Sequence, residues 1–168
     1  MLVILMTNMR LDDFASLYGK QFDCVYRYTL ALTGNPARAE EITQEAFARL
    51  LRDGFRKIKI ERPEAWLMSV ARNLAVDSFR KQGREGPCLE EAPPRNPEQQ
   101  LIFSEVQQRI LSALSRLAQS QRDCIALREF GGLSYQEIAG VMGTSVDSVK
   151  VQLFRARRHL RKELEDLK

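Results

Sequence analysis

Residues 134–158, SYQEIAGVMGTSVDSVKVQLFRARR, constrain the fold of this chain more than any other stretch. Ser134 and Glu137 stand at the spacing of a capping box, in which each side chain bonds the other residue's backbone N–H and fixes a helix start. Gly143 falls where the chain must leave that helix through a positive φ, which glycine adopts without strain. Thr144 and Ser145 carry side-chain oxygens suited to capping a second helix. At about 100° per residue, Val149, Leu153, Ala156, Leu160, Leu164 and Leu167 then share one stripe. Lys150, Phe154, Arg155, Arg157, Arg158, Arg161 and Lys162 fill the rest of the circumference. Ala139 is small where the two helices would cross. A short helix, a glycine turn and a long basic helix form a helix-turn-helix.

In that arrangement the second helix enters the major groove with its N-terminal residues at base edges. Ser145, Asp147, Ser148, Lys150, Val151 and Gln152 are therefore the candidates for base contacts. Arg155, Arg157 and Arg158 are the candidates for phosphates, which give affinity without sequence information.

The rest of the chain is also helical in period, with no convincing strand alternation, so the expected class is all-α. Pro36, Pro63 and Pro97 stand at first helical positions, two of them behind the N-cap residues Asn35 and Asn96. The spacing predicts helices over about 10–33, 36–53, 63–82, 97–117, 119–130, 134–142 and 145–166. The stretch GREGPCLEEAPPRNP, 83–97, has four prolines and no apolar period, and reads as a linker. It would join two small helical domains, 9–82 and 98–168. MLVILM at the start is too short for a signal core or a membrane span and is given no role.

Charge is local rather than global. The net charge is only +4, yet residues 55–84 hold eight basic side chains against three acids, and residues 145–164 hold six against two. Two such patches suit a polyanion. Cys24, Cys88 and Cys124 are odd in number and lack metal-ligand spacing, so a reducing, cytoplasmic setting fits and neither metal nor cofactor is expected. No glycine-rich phosphate loop or activated nucleophile is evident, and the one histidine, His159, lies among arginines as a surface residue or phosphate neighbour. The chain is not expected to be an enzyme.

In the first half, the helix at 63–82 sets Asn73, Asp77, Arg80 and Lys81 on a polar stripe apart from Leu67, Val70, Ala71 and Leu74. Just before it, FRKIKIER mixes Phe55 with Arg56, Lys57, Lys59 and Arg62, a combination suited to single strands, where bases stack on rings and cations follow the backbone. Trp66 reads as core. The helix at 36–53 turns Glu41, Gln44 and Glu45 outward, either as a solvated face or as a docking ridge for a basic partner. A stand-alone dimeric helix-turn-helix repressor remains open at this point. It would require a palindromic site with half-sites about one helical turn apart.

RAEEITQEAFARLL (38–51), PEAWLMSVARNLAVDSFRK (63–81), the Pro-rich linker and residues 113–160 resemble, in order, the extracytoplasmic-function (ECF) sigma factors of the sigma-70 family. The resemblance implies a non-catalytic subunit of RNA polymerase that is monomeric when free, does not insert in membranes, and binds core polymerase and promoter DNA. It also implies an anti-sigma partner. Glu41, Gln44, Glu45 and Arg49 match the family's polymerase-docking segment. Residues 55–62 with Asn73, Asp77, Arg80 and Lys81 match the segments that hold the melted minus-ten element. The helix beginning at Ser145 matches the reader of the minus-thirty-five element. Two departures stand out. Many members carry Ser-Arg where this chain has Val151-Gln152, and many carry Leu-Pro where Leu117-Ala118 precede Gln121-Arg122.

Overall fold

Helix α1, Leu2–Thr33, begins well before the expected residue 10. Residues 2–9 contain no glycine or proline, so helical hydrogen bonding propagates through them once the helix is nucleated. In this computed structural model the described residues are 2–54, 62–84 and 104–165, with side chains described for 13–52, 62–81 and 104–165. Gly34 leaves α1 at φ +63°, and the Asn35 side chain accepts from the Arg38 N–H at 3.1 Å. Pro36 then opens α2, Pro36–Arg49, as the sequence predicts, and α2 folds back against α1. A π-helical turn, Leu50–Gly54, follows in place of the last α-turn expected there. The third helix, α3, is Pro63–Arg84.

The second half holds α4 (Glu105–Ser115), α5 (Gln119–Glu129), α6 (Tyr135–Met142) and α7 (Val146–Glu163). The expected helix over 97–117 is corrected here. Ser104 is extended, at φ −60° and ψ 155°, and caps α4 in a box with Gln107, so no helix runs through position 104. The predicted start at Asn96–Pro97 lies outside the described residues, as do Cys88, Leu167 and most of the linker. Among the described residues there is no strand, and no helix is long and apolar enough to cross a membrane.

Val25, Tyr28, Leu32, Ile42, Ala46, Phe47, Leu67, Met68 and Ala71 pack between α1, α2 and α3, with Trp66 against their edge. Phe14, Tyr18 and Phe22 gather around Phe47, the Tyr18 and Phe47 ring centres lying 4.8 Å apart. Among the described residues, Thr29 and Thr43 are buried there with hydroxyls that meet at 3.0 Å, and the Tyr28 hydroxyl is buried beside the same core without a hydrogen-bond partner. Each threonine also donates to the Ala39 carbonyl, so both threonine hydroxyls are satisfied inside the apolar layer.

The two halves do not stand apart. Their cores join into one cluster, with α1 against α4 and α5, and α3 against α6. At the seam, Arg72 Nε of α3 donates to Asp123 Oδ2 of α5 at 2.9 Å, and Asp123 is 1% exposed. Arg122 donates to the Leu114, Ser115 and Leu117 carbonyls at the end of α4, and reaches the Leu32 carbonyl of α1 at 3.3 Å. Ala118 caps α5 without a side-chain bond, and Arg122 ties the same corner through the Leu114 and Leu117 carbonyls.

Candidate nucleic-acid interface

Ser134 accepts from the Glu137 N–H at 3.2 Å, and Glu137 accepts from the Ser134 N–H at 2.8 Å. That backbone bond, with the Ser134 side chain and the Arg62 charge, holds the Glu137 carboxyl below its ordinary range against the opposing effect of burial. Gly143 sits at φ +64° in the left-handed region, and the Thr144 N–H closes onto the Ala139 carbonyl at 3.0 Å, a helix end that glycine accommodates. Ser145 then accepts from the Ser148 N–H at 3.1 Å and starts α7. The capping box, the glycine exit and the Ser145 cap read from the sequence are realised in this turn, and Ser145 rather than Thr144 is the N-cap of α7.

Val149, Leu153 and Ala156 are buried against α5 and α6, and Leu160 packs beside them. The opposite face of α7 is open. Asp147, Lys150, Val151, Phe154, Arg155 and Arg158 are exposed, while Ser148 and Gln152 are half-buried on its flanks. Lys150 Nζ lies 3.1 Å from Asp147 Oδ1, a pair in full contact with water that costs little to break. Arg155 and Arg158 make no ion pair among the described residues. Arg157 differs. Its guanidinium lies 3.2 Å from Glu129 and 3.5 Å from the Tyr135 hydroxyl, both of which favour its charged form, so it braces α7 against α5 and α6. His159 is half-buried, and its Nε2 has no hydrogen-bond partner among the described residues.

On α3, Asn73, Asp77, Arg80 and Lys81 are all exposed on the predicted stripe. Asp77 and Arg80 lie 4.0 Å apart. Arg62 is exposed, and its Nη1 lies 2.8 Å from Glu137 Oε1, an ion pair between the start of α3 and the start of α6. Phe55, Arg56, Lys57 and Lys59 lie outside the described residues. On α2, Glu41 and Gln44 face solvent. Glu45 accepts from Arg49 at 3.0 Å and Arg52 at 2.9 Å, and the Arg49 bond is the main cause that holds its carboxyl low. Sequence reasoning missed the Arg72–Asp123 and Arg62–Glu137 pairs, which join residues far apart in the chain. It also left Phe154 unassigned, although that ring stands opposite the Val149 stripe.

Residues 17–85 match the family described as Sigma-70 region 2, and residues 107–160 match Sigma-70, region 4. The ECF RNA polymerase sigma factor SigW of Bacillus subtilis is 30% identical over 171 residues, covering 93% of this chain and 91% of that protein. This chain belongs to the ECF sigma factors. A second relative, the ECF sigma factor BldN of Streptomyces coelicolor, is 36% identical over 162 residues and 92% of this sigma factor, which spans 61% of BldN's length. Among solved structures, the sigma factor RpoE of Bartonella quintana, in complex with the anti-sigma factor NepR, superposes with a TM-score of 0.75. It covers 91% of this chain and 97% of that one at 23% identity, a likeness of fold. The helix-turn-helix of this sigma factor, α6–α7, lies within the region 4 match up to residue 160, three residues short of the end of α7.

Proposed function

We propose that this chain is a dissociable, non-catalytic initiation subunit that binds core RNA polymerase in the cytoplasm and directs it to promoters. What carries the reading is one observation: α7 offers an open cationic face across a capped helix-turn-helix, in a chain of the ECF sigma family. In this proposal Ser145, Asp147, Ser148, Lys150, Val151 and Gln152 approach the bases of the minus-thirty-five element, and Arg155 and Arg158 hold its phosphates. Arg157 acts mainly by bracing α7. Residues 55–62, Asn73, Asp77, Arg80 and Lys81 hold the melted minus-ten element. Glu41, Gln44, Glu45 and Arg49 dock on core. The residues 9–82 and 98–168 act as two units, with 83–97 between them.

The named elements lie about 25 base pairs apart, roughly 80 Å of duplex. A folded chain of this length has a radius of gyration of about 15 Å. Both elements are therefore within reach only after the halves part. The segment 85–103, fully extended, spans about 60 Å. Two modest DNA contacts then gain effective concentration because a large scaffold presents both. By likeness to the RpoE–NepR pair, an anti-sigma factor would cover this chain when it is inactive.

The test is transcription in vitro with purified core polymerase on a promoter library, with and without the chain. The expected result is initiation on a defined subset that shares two elements. Unchanged initiation on addition of the chain would refute the reading, as would tight, sequence-specific duplex binding by the free chain.

A further inference from the structure

Five large apolar side chains are exposed among the described residues, and two of them, Val151 at 46% and Phe154 at 68%, are neighbours on α7. Phe154 is the most exposed of the five. A single exposed apolar residue needs no explanation, but this pair lies in line with Asp147 and Arg158 at i, i+4, i+7 and i+11, the ridge farthest from Val149 and Leu153. Neither packs on the core, and Arg155 beside the ridge and Arg158 at its end make no ion pair among the described residues.

Resting on the function proposed above, we infer that Val151 and Phe154 form an apolar reading edge selecting thymine in the minus-thirty-five element through its C5-methyl group. The cations argue for a polyanion as the occupant. Within a major groove the thymine methyl is the one apolar group that base edges present, the rest being hydrogen-bond donors and acceptors. An apolar side chain set against those polar edges leaves them unpaired, so the pair both attracts thymine and disfavours the other bases. Residues i and i+3 are separated by about 4.5 Å along a helix, close to one base-pair step, so the methyls belong to adjacent or near-adjacent pairs.

The test uses the full chain with core polymerase. Preferred minus-thirty-five sequences are first selected from the library, and each thymine in them is then replaced singly by deoxyuridine, which pairs identically but lacks the methyl. Open-complex formation is measured for the parent chain, Val151→Ser and Phe154→Ala. The parent is expected to lose about fourfold at one or two neighbouring positions, the factor corresponding to burial of one methyl group. Each variant should lose less than twofold at the position it reads. A selected element without thymine, tolerance of deoxyuridine everywhere, or an equal penalty in parent and both variants would each overturn the inference. So would a Phe154→Ala chain that keeps its promoter selectivity and loses only capture by a protein partner. If core polymerase selects no promoters with the chain at all, the proposed function itself fails and takes this inference with it.

Discussion

Replacing Arg72 by methionine tests what joins the two halves. The substitution keeps an unbranched, partly buried side chain and removes the guanidinium that donates to Asp123 at 2.9 Å. Removing one member of a fully buried ion pair costs about 3–5 kcal/mol, because the partner charge is left uncompensated. Here the Arg72 side chain is 23% exposed, and the Arg122 charge also favours the Asp123 carboxylate, so about 2–3 kcal/mol is expected. For a chain of this size that lowers Tm by roughly 5–10 °C. Adding Asp123→Asn to Arg72→Met should restore most of the loss, since the neutral amide needs no counter-charge. The sign of the pH dependence follows from the same site. Burial raises the Asp123 carboxyl more than Arg72 lowers it, so the folded state binds the proton more tightly than the unfolded one. Stability from this group is therefore present in acid and lost as pH rises through its folded pKa, which lies above the group's ordinary value. Without Arg72 the upward push is larger, and the deficit should widen from acid to neutral pH. Urea melts followed by Trp66 fluorescence, the single tryptophan, and by far-ultraviolet circular dichroism give both numbers. A loss under about 0.5 kcal/mol, or no rescue by Asp123→Asn, would show that this pair does not hold the seam.

Gly143→Ala places a Cβ at φ +64° with no neighbouring atom to clash, so its cost is conformational alone, about 1 kcal/mol, measured in the same melts. The variant should still select promoters if the turn keeps its geometry. Ser134→Ala removes one half of the capping box and should cost about 1 kcal/mol, with Ser134→Thr near neutral by comparison. Cys124 is fully buried, and burial pushes its thiol up to about 11, so it should resist maleimide at pH 8 and react fully in urea. Peptide mapping by mass spectrometry gives the result, and rapid native labelling of Cys124 would contradict its placement.

What was legible in the sequence was local. The Ser134–Glu137 box, the positive φ at Gly143 and the Asn35–Pro36 start each depend on residues within four positions of one another, and each was realised. The start at Ser104 is local too, but Asn96–Pro97 offers a competing helix-start signal eight residues earlier, and the Ser104–Gln107 box decides against a continuous helix only in the folded chain. The seam was not legible at all. Arg72 and Asp123 are separated by 51 positions, and nothing in either neighbourhood marks one as the other's partner. Asp123 even stands beside Arg122, which invites pairing within α5. Instead Arg122 turns to the carbonyls of α4 and α1, and Asp123 turns to α3.

The period that builds α7 also sorts its residues into two jobs that experiments can separate. Val149, Leu153 and Ala156 recur on the side that meets α5 and α6, so trimming any of them opens a cavity and lowers stability before it alters recognition. Asp147, Val151, Phe154 and Arg158 recur on the other side and contribute almost nothing to the folded core, so changing them should move promoter choice with Tm unmoved. Arg157 lies between the two sets, bound to Glu129 and Tyr135 on neighbouring helices. On the proposed function, its loss should lower stability modestly and weaken all promoters alike, because it would orient α7 without contacting bases. Measuring Tm beside promoter selectivity for these three classes distinguishes a helix that reads DNA from one that is merely basic. Only the former has an outer face whose substitutions change which sequence is chosen while leaving the fold intact.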